Sequence, residues 1–171
     1  MAEEIDGAYL ALKGYCYQFD KTIFEIYNNP DKEINIEQVQ DLGFDNYVIQ
    51  VKHHNTEYAE SQQKALIKKP VIQLLKEFIK DHTKQYVLYI YFKGHLPKED
   101  TLTYEDLEKI LSSNSVDYDL ALKMNFVKKF KLIYSEDFIK LHTNVIVKFR
   151  TIIKKEKMNL NFIIQLFQVI Y

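Results

Sequence analysis

The sequence predicts an α/β protein in which helices cover both faces of a mixed β-sheet. Helical and extended apolar patterns follow one another in the order α, β, β, α, β, α, β, α. One extended run, "QYVLYIYFK", is apolar on both sides, which is typical of a central strand covered from both faces. Only four glycines and three prolines interrupt the chain, so the connections between elements are short.

The first elements are a helix and a hairpin. A helix is predicted from about Gly7 to Tyr27, because apolar residues recur at spacings of three and four, and "NNPDK" ends it. The runs "EINIEQVQDL" and "NYVIQVKHH" are extended, and "GFDN" between them contains turn-forming residues. This part of the chain therefore reads as a hairpin.

A second helical pattern runs from about Glu57 to Asp81, with Pro70 expected in the first turn of a second segment, where proline is tolerated. After the central strand, Thr103 is a candidate N-cap for a helix. "KKFKLIY" is predicted as a short strand, and Ser135 is predicted to cap a helix that ends near Lys155. The last dozen residues are predicted to form a further apolar helix.

The length and composition of the chain indicate one domain over residues 1–171, with a core of about residues 1–95 and the remaining strand and helices over about 96–171. The net charge is -1, so binding to an acidic partner requires a local basic patch. The single cysteine, Cys16, is most simply a buried apolar residue, and it indicates a reducing compartment. No apolar stretch has the length of about 20 residues that spans a bilayer. A cytoplasmic location without a membrane is expected.

The hairpin brings polar residues to one face of the sheet. Side chains alternate along a strand, so Gln50 and Lys52 share a face. A loop of two residues (44 and 45) or of four (43 to 46) pairs Asp41 with Val48 and brings its carboxylate near both, with Glu37 further along the same face. A three-residue loop would send Asp41 to the other face.

This grouping suits a divalent metal. Mg²⁺ prefers hard oxygen ligands and takes one or two of them from carboxylates. Asp41 and Gln50 are the candidate side-chain ligands, and the peptide carbonyl of Val51 is a third. Lys52 would orient or deprotonate an attacking water and offset charge that develops on a phosphate.

Simpler interpretations of these residues remain open. "QVK" is also typical of an edge strand with an exposed lysine, and Asp45 is most simply a turn residue. His53 and His54 are adjacent and point to opposite faces, so they match no zinc spacing. His54 shares the Lys52 face and contacts either phosphate or solvent.

The predicted second helix carries a candidate basic patch. Ser61 and Gln62 lie at its start, and four lysines follow: Lys64, Lys68, Lys69 and Lys76. If this helix borders the site, the lysines contact DNA phosphates, with Ser61, Lys64 and Lys68 closest to its start. The alternative is an ordinary solvated helix face.

The motifs "GYCYQF", "IEQVQDL" and "VIQVKHH" resemble those of the PD-(D/E)xK nuclease superfamily, and in particular the N-terminal double-stranded-DNA endonuclease domain of bacterial anti-phage effectors of the CBASS and Lamassu type. The resemblance covers roughly the first 95 residues. It implies a restriction-endonuclease-like fold with Asp41, Gln50 and Lys52 as catalytic residues, Gln18 supporting them from the first helix, and Glu37 as an auxiliary acid. The group often has two consecutive acids where this chain has Gln40 and Asp41, and Gln50 stands where an acid is usual.

The resemblance implies an endonuclease that uses Mg²⁺ or Mn²⁺ to cut double-stranded DNA with little sequence preference, in an anti-phage defence system. Activation is expected from homo-oligomer assembly or from a partner such as an SMC-like ATPase. One alternative is a catalytically weak or inactive nuclease-fold subunit that binds DNA or mediates assembly. Another is a structural partner whose terminal apolar helix is the functional surface.

Overall fold

The computed structural model describes residues 7–36, 41–44, 46–57, 60–112 and 117–156. Within these ranges, the side chains of residues 56, 60–64, 153, 155 and 156 are not described. The predicted terminal apolar helix lies outside the described residues, as do Glu37, Gln40 and Asp45.

Helices and strands alternate through the described ranges. The helices are α1 (Gly7–Asn28), α2 (Glu60–Lys80), α3 (Tyr104–Leu111), α4 (Leu120–Lys129) and α5 (Phe138–Glu156). The strands are β1 (Ile34–Ile36), β2 (Leu42–Phe44), β3 (Tyr47–Glu57), β4 (Gln85–Lys93), β5 (Lys98–Asp100) and β6 (Phe130–Tyr134).

The six strands form one mixed sheet in the order β1-β2-β3-β4-β6-β5. β3, β4 and β6 are parallel, and the pairs β1–β2, β2–β3 and β5–β6 are antiparallel. The strand that is apolar on both faces, β4, lies between β3 and β6, which confirms its predicted central position.

Helices cover both faces of the sheet, as predicted. On one face, α2, α3 and α4 pack on alternate residues of the parallel strands, including Val48, Leu88 and Leu132. On the opposite face, α1 and α5 pack on the intervening residues, including Ile49, Val51 and Val87. Because β3 contributes to both cores, its consecutive side chains belong to different layers.

The predicted hairpin register is wrong by two residues. The prediction placed Leu42 at the edge of the loop and Phe44 within it. Both residues belong to β2, because both side chains are buried. Phe44 pairs with Tyr47, so two residues, 45 and 46, connect the strands. Gly43, and not Asp41, lies opposite Val48. The connection nevertheless has an even number of residues, so each side chain stays on the face of the sheet that was predicted for it.

The predicted second helix begins later than expected and is not divided. Glu57 belongs to β3, and α2 is one helix with Pro70 in its interior. An interior proline removes one backbone hydrogen bond. Fully buried residues on α2, among them Val71, Leu74 and Phe78, pack on the sheet and compensate for that loss.

β5 and α4 have no counterpart among the predicted elements. The prediction of one strand over "EINIEQVQDL" is also wrong, because this run contains β1 and the start of β2, which pair antiparallel with each other. β5 consists of three charged residues and has no apolar alternation. α4 begins after Asp119, whose side chain accepts the Leu122 N–H. The predicted N-cap of α3, Thr103, is confirmed, because it accepts the Asp106 N–H.

The predicted N-cap of the last described helix is wrong. Asp137 accepts the N–H of Lys140, whereas Ser135 is buried and its hydroxyl is bonded to Tyr17. Burial of the end of β6 takes Ser135 away from the helix terminus. No helix in the described ranges is both long enough and apolar enough to cross a membrane.

Candidate functional site

Asp41 lies immediately before β2 and contacts two consecutive residues of β3. The Val51 N–H donates to Asp41 Oδ2 over 2.7 Å, and Lys52 Nζ lies 3.5 Å from the same oxygen. The side chains of Asp41 and Lys52 are 18% and 34% exposed, so solvent reaches both. The predicted approach of Asp41 to Lys52 is therefore present in the structure.

The hairpin register explains this contact. β2 ends its pairing at Leu42, opposite Ile49, so no β2 residue pairs with Val51. The Asp41 carboxylate accepts the N–H that a further β2 residue would otherwise bind. The N–H and C=O of one strand residue point to the same side, so the Val51 carbonyl is directed to this edge of β3 as well.

Gln50 is 2% exposed and lies between the sheet and α2. Its Nε2 donates to Gln73 Oε1 over 2.8 Å. Its Oε1 has no hydrogen-bond partner among the described residues. A buried amide oxygen without a partner destabilises the fold by about 1–3 kcal/mol, so it requires an explanation such as a bound ion.

The candidate donors are the Asp41 carboxylate, the Gln50 amide oxygen and the Val51 carbonyl, of which the observed contacts join Asp41 to Val51. Within the described residues, no cluster of three or more His, Cys, Asp or Glu side chains could hold a metal ion. Mg²⁺ keeps several waters and binds through as few as one or two carboxylates, so this smaller set fits it. The buried Gln50 Oε1 is the feature of the set that a cation would satisfy.

The two histidines that follow Lys52 point to opposite faces, as predicted. His54 stacks on Phe92 with ring centroids 5.1 Å apart, and burial together with the Lys52 charge lowers its pKa. His53 packs between Tyr17 and Tyr91, and burial, aided by the charge of Lys13, lowers its pKa to about 4. His54 is therefore a neutral ring that packs beside the candidate site, and a contact with phosphate stays a prediction.

Gln18 lies on the other side of the sheet. Its helix, α1, packs on the Ile49 and Val51 face, opposite the face of Gln50. Gln18 lines a cavity of about 200 Å³ between α1 and β1. No contact among the described residues joins it to Asp41, Gln50 or Lys52. Its supporting role stays a prediction.

The remaining candidate residues are only partly described. Glu37 is outside the described residues, and the side chains of Ser61 and Lys64 are not described. Lys68 lines a cavity of about 600 Å³ that also contains the carboxylates of Asp100 and Asp106. The lining is mixed in charge, so the basic patch on α2 stays a prediction.

Gln73 is the residue of the site that sequence reasoning missed. It is in α2, 23 positions after Gln50, and its neighbours Val71 and Leu74 are fully buried. The available signal is a glutamine inside the apolar run "VIQLL" of an amphipathic helix. A polar residue at such a position usually has a specific partner.

A second group of buried polar residues connects α1 to the β6–α5 junction. The Tyr17 hydroxyl is bonded to Ser135 and donates to the Glu136 carbonyl over 2.9 Å. Asp20, which is buried, lies 3.0 Å from Nδ1 of His142. These contacts join elements of the α1–α5 layer and serve its stability.

Comparisons of the chain with protein-family models, with curated proteins and with solved structures find no match.

Proposed function

We propose that this protein is a metal-dependent endonuclease that cuts double-stranded DNA, with a restriction-endonuclease-like arrangement of its sheet and helices. The observation that carries the proposal is the position of the Asp41 carboxylate, which lies 2.7 Å from the Val51 nitrogen and 3.5 Å from Lys52 Nζ. A carboxylate held beside a lysine at the end of a strand pairing is the arrangement that the resembled nucleases use.

The candidate ligands of Mg²⁺ are Asp41, the Oε1 atom of Gln50 and the peptide carbonyl of Val51. Asp41 Oδ2 contacts Val51 and Lys52, so Oδ1 is the oxygen of this carboxylate for the metal. When bound, Mg²⁺ would neutralise phosphate charge and lower the pKa of a bound water.

Lys52 has two roles in this proposal. Its ammonium group orients the water that attacks the phosphorus atom, and it offsets the charge that develops on the phosphate oxygens. Hydrolysis forms a P–O bond to the water oxygen and breaks the P–O bond to the leaving sugar oxygen. One water proton passes to a base or solvent, solvent returns a proton to the leaving oxygen, and the other water proton stays on the new phosphate. Lys52 is 34% exposed, which allows both water and DNA to reach it.

The biological setting follows from the resemblance. Effectors of that kind cut DNA without much sequence preference in bacterial anti-phage defence. Two cuts in opposite strands require two sites, so the active form is a homo-oligomer, assembled alone or with a partner protein such as an SMC-like ATPase.

The test compares cleavage of plasmid DNA in Mg²⁺ or Mn²⁺ by the wild type, D41A and K52A. The matched controls are E57A and K93A, because Glu57 and Lys93 also form a 3.5 Å ion pair, at the end of β3 and β4. We expect D41A and K52A to lose at least 100-fold in cleavage rate, in line with the loss of a group that stabilises the transition state. E57A and K93A should cut normally.

Two results would refute the site assignment. One is cleavage that survives both D41A and K52A. The other is a wild type that neither cuts nor binds Mn²⁺ in an electron paramagnetic resonance titration. A wild type that binds Mn²⁺ through Asp41 without cutting would place activation in the assembly or the partner.

A second candidate function is a nuclease-fold subunit without efficient catalysis, which binds DNA or mediates assembly. One observation favours it: Lys52 pairs with Asp41 and Gln50 is neutral, so the three side chains together have no net negative charge to attract a cation. DNA binding that is unchanged by EDTA, combined with no metal binding, would support this alternative.

A further inference from the structure

We infer that Gln73 is a positioning residue, which fixes the orientation of the Gln50 amide so that its oxygen faces the metal site. The inference rests on the proposed function, because the site that it orients is the metal site described above. The observation behind it is the 2.8 Å hydrogen bond from Gln50 Nε2 to Gln73 Oε1.

An amide side chain presents a donor group at one end and an acceptor at the other. When Gln50 donates through Nε2 to α2, its Oε1 must face away from Gln73. That oxygen is buried and has no partner among the described residues. Reversal of the Gln50 amide would point two N–H donors toward the site and remove one ligand of a cation.

Because Gln50 is buried, its hydrogen bond to Gln73 decides the orientation of the Gln50 amide. Gln50 is 2% exposed, and the helix residues that flank Gln73, Val71 and Leu74, are fully buried. In an apolar layer, no solvent molecule competes easily for the Gln50 amide, so the partner on α2 selects its orientation. Gln73 is itself half-buried.

Variants of Gln73 separate donor from acceptor. Q73E offers only acceptors, so Gln50 still donates and keeps its oxygen toward the site. Q73K offers only donors, so Gln50 must present its oxygen to the helix. Q73L offers neither. Each charge change has a matched control one turn away on α2: K76Q for Q73E, and E77Q for Q73K.

The first measurement is the Kd of Mn²⁺ by electron paramagnetic resonance. Residues that orient a metal ligand typically change affinity by about 10–100-fold when replaced. We expect Q73E to bind Mn²⁺ within about 3-fold of K76Q, Q73L to bind about 10-fold more weakly than the wild type, and Q73K to bind about 10–100-fold more weakly than E77Q. The melting temperature of each variant shows that it is folded.

The second measurement needs no metal. In the wild type and in Q73E, the side-chain amide protons of Gln50, assigned by their loss in Q50L, should exchange slowly with solvent. In Q73L they should exchange rapidly. A merely structural role of Gln73 would not predict rescue by Q73E and failure of Q73L in both measurements.

Failure of this inference and failure of the proposed function give different results. Mn²⁺ binding that is equal in the wild type, Q73L and Q73K overturns the positioning role while leaving the metal site intact. A Gln50 amide that exchanges rapidly in the wild type also overturns it. A wild type that binds no Mn²⁺ but keeps a protected Gln50 amide overturns the metal site alone.

Discussion

Replacement of Asp41 by alanine should destabilise the fold, because the carboxylate has a structural role apart from any metal. The variant leaves the Val51 N–H without its 2.7 Å partner and removes the ion pair with Lys52. An N–H group left unpaired at a part-buried position costs about 1–3 kcal/mol. A solvent-accessible ion pair contributes about 0.2–1 kcal/mol.

The expected loss of unfolding free energy is therefore about 1–4 kcal/mol for D41A. D41N keeps a neutral acceptor for the Val51 N–H and should lose only about 1 kcal/mol. K52A loses the ion pair alone, so about 0.5 kcal/mol is expected. Urea denaturation followed by circular dichroism measures all three, in EDTA so that no metal contributes.

The double variant D41A/K52A, together with D41A and K52A, completes a double-mutant cycle that measures the coupling between the two side chains. We expect a coupling free energy of about 0.2–1 kcal/mol, which should decrease in high salt. A D41A loss below about 0.5 kcal/mol, together with no coupling, would refute the contacts on which the site is built.

Three further predictions concern pH, the α1 layer and the metal. The pKa of His53 is about 4 in the folded protein and 6.5 in its ordinary state, so between these pH values the unfolded chain binds a proton that the folded protein excludes. The free energy of unfolding should therefore be full above pH 6.5 and decline as the pH falls toward 4. H53F should flatten this decline in melting temperatures measured across that range, and a wild type equally stable at pH 4.5 and 7 would contradict the burial of His53. Y17F leaves the Ser135 hydroxyl buried without its Tyr17 partner, so urea denaturation should show a loss of about 1–2 kcal/mol. EDTA should stop DNA cleavage and lower the free energy of unfolding by about 1–3 kcal/mol in urea denaturation, since metal removal leaves the buried Gln50 Oε1 without a partner.

Much of the fold could be predicted because its signals are local. The bounds of α1, β4 and β6 follow from apolar periodicity, and the Thr103 cap of α3 follows from residue types within four positions. Elements without such a signal could not be found in this way: β5 is three charged residues that pair with β6 at the sheet edge. The prediction of a second helical segment at Pro70 was wrong, because it used only the local tendency of proline to break a helix. Packing of α2 on the sheet keeps the helix continuous.

Some features of the candidate site also follow from local patterns, and others do not. Alternation along β3 is sufficient to put Gln50 and Lys52 on one face, and an even connection is sufficient to bring Asp41 to Lys52. The exact register was not predictable, since burial of Leu42 and Phe44 moved the strand pairing by two residues. That shift gives Asp41 its bond to the Val51 N–H, which no pattern predicts.

The sequence by itself determined the mixed α/β class, the central strand and the approach of Asp41 to Lys52, because each depends on the period of a strand or helix or on the number of residues in one turn. Only the tertiary structure decided that Gln73 meets Gln50 and that Gln18 lies beyond the opposite face. Gln73 is 23 positions from its partner and Gln18 is on another helix, so their places depend on which face of the sheet each helix covers. The packing of apolar side chains chooses that face, and the polar contacts follow from it.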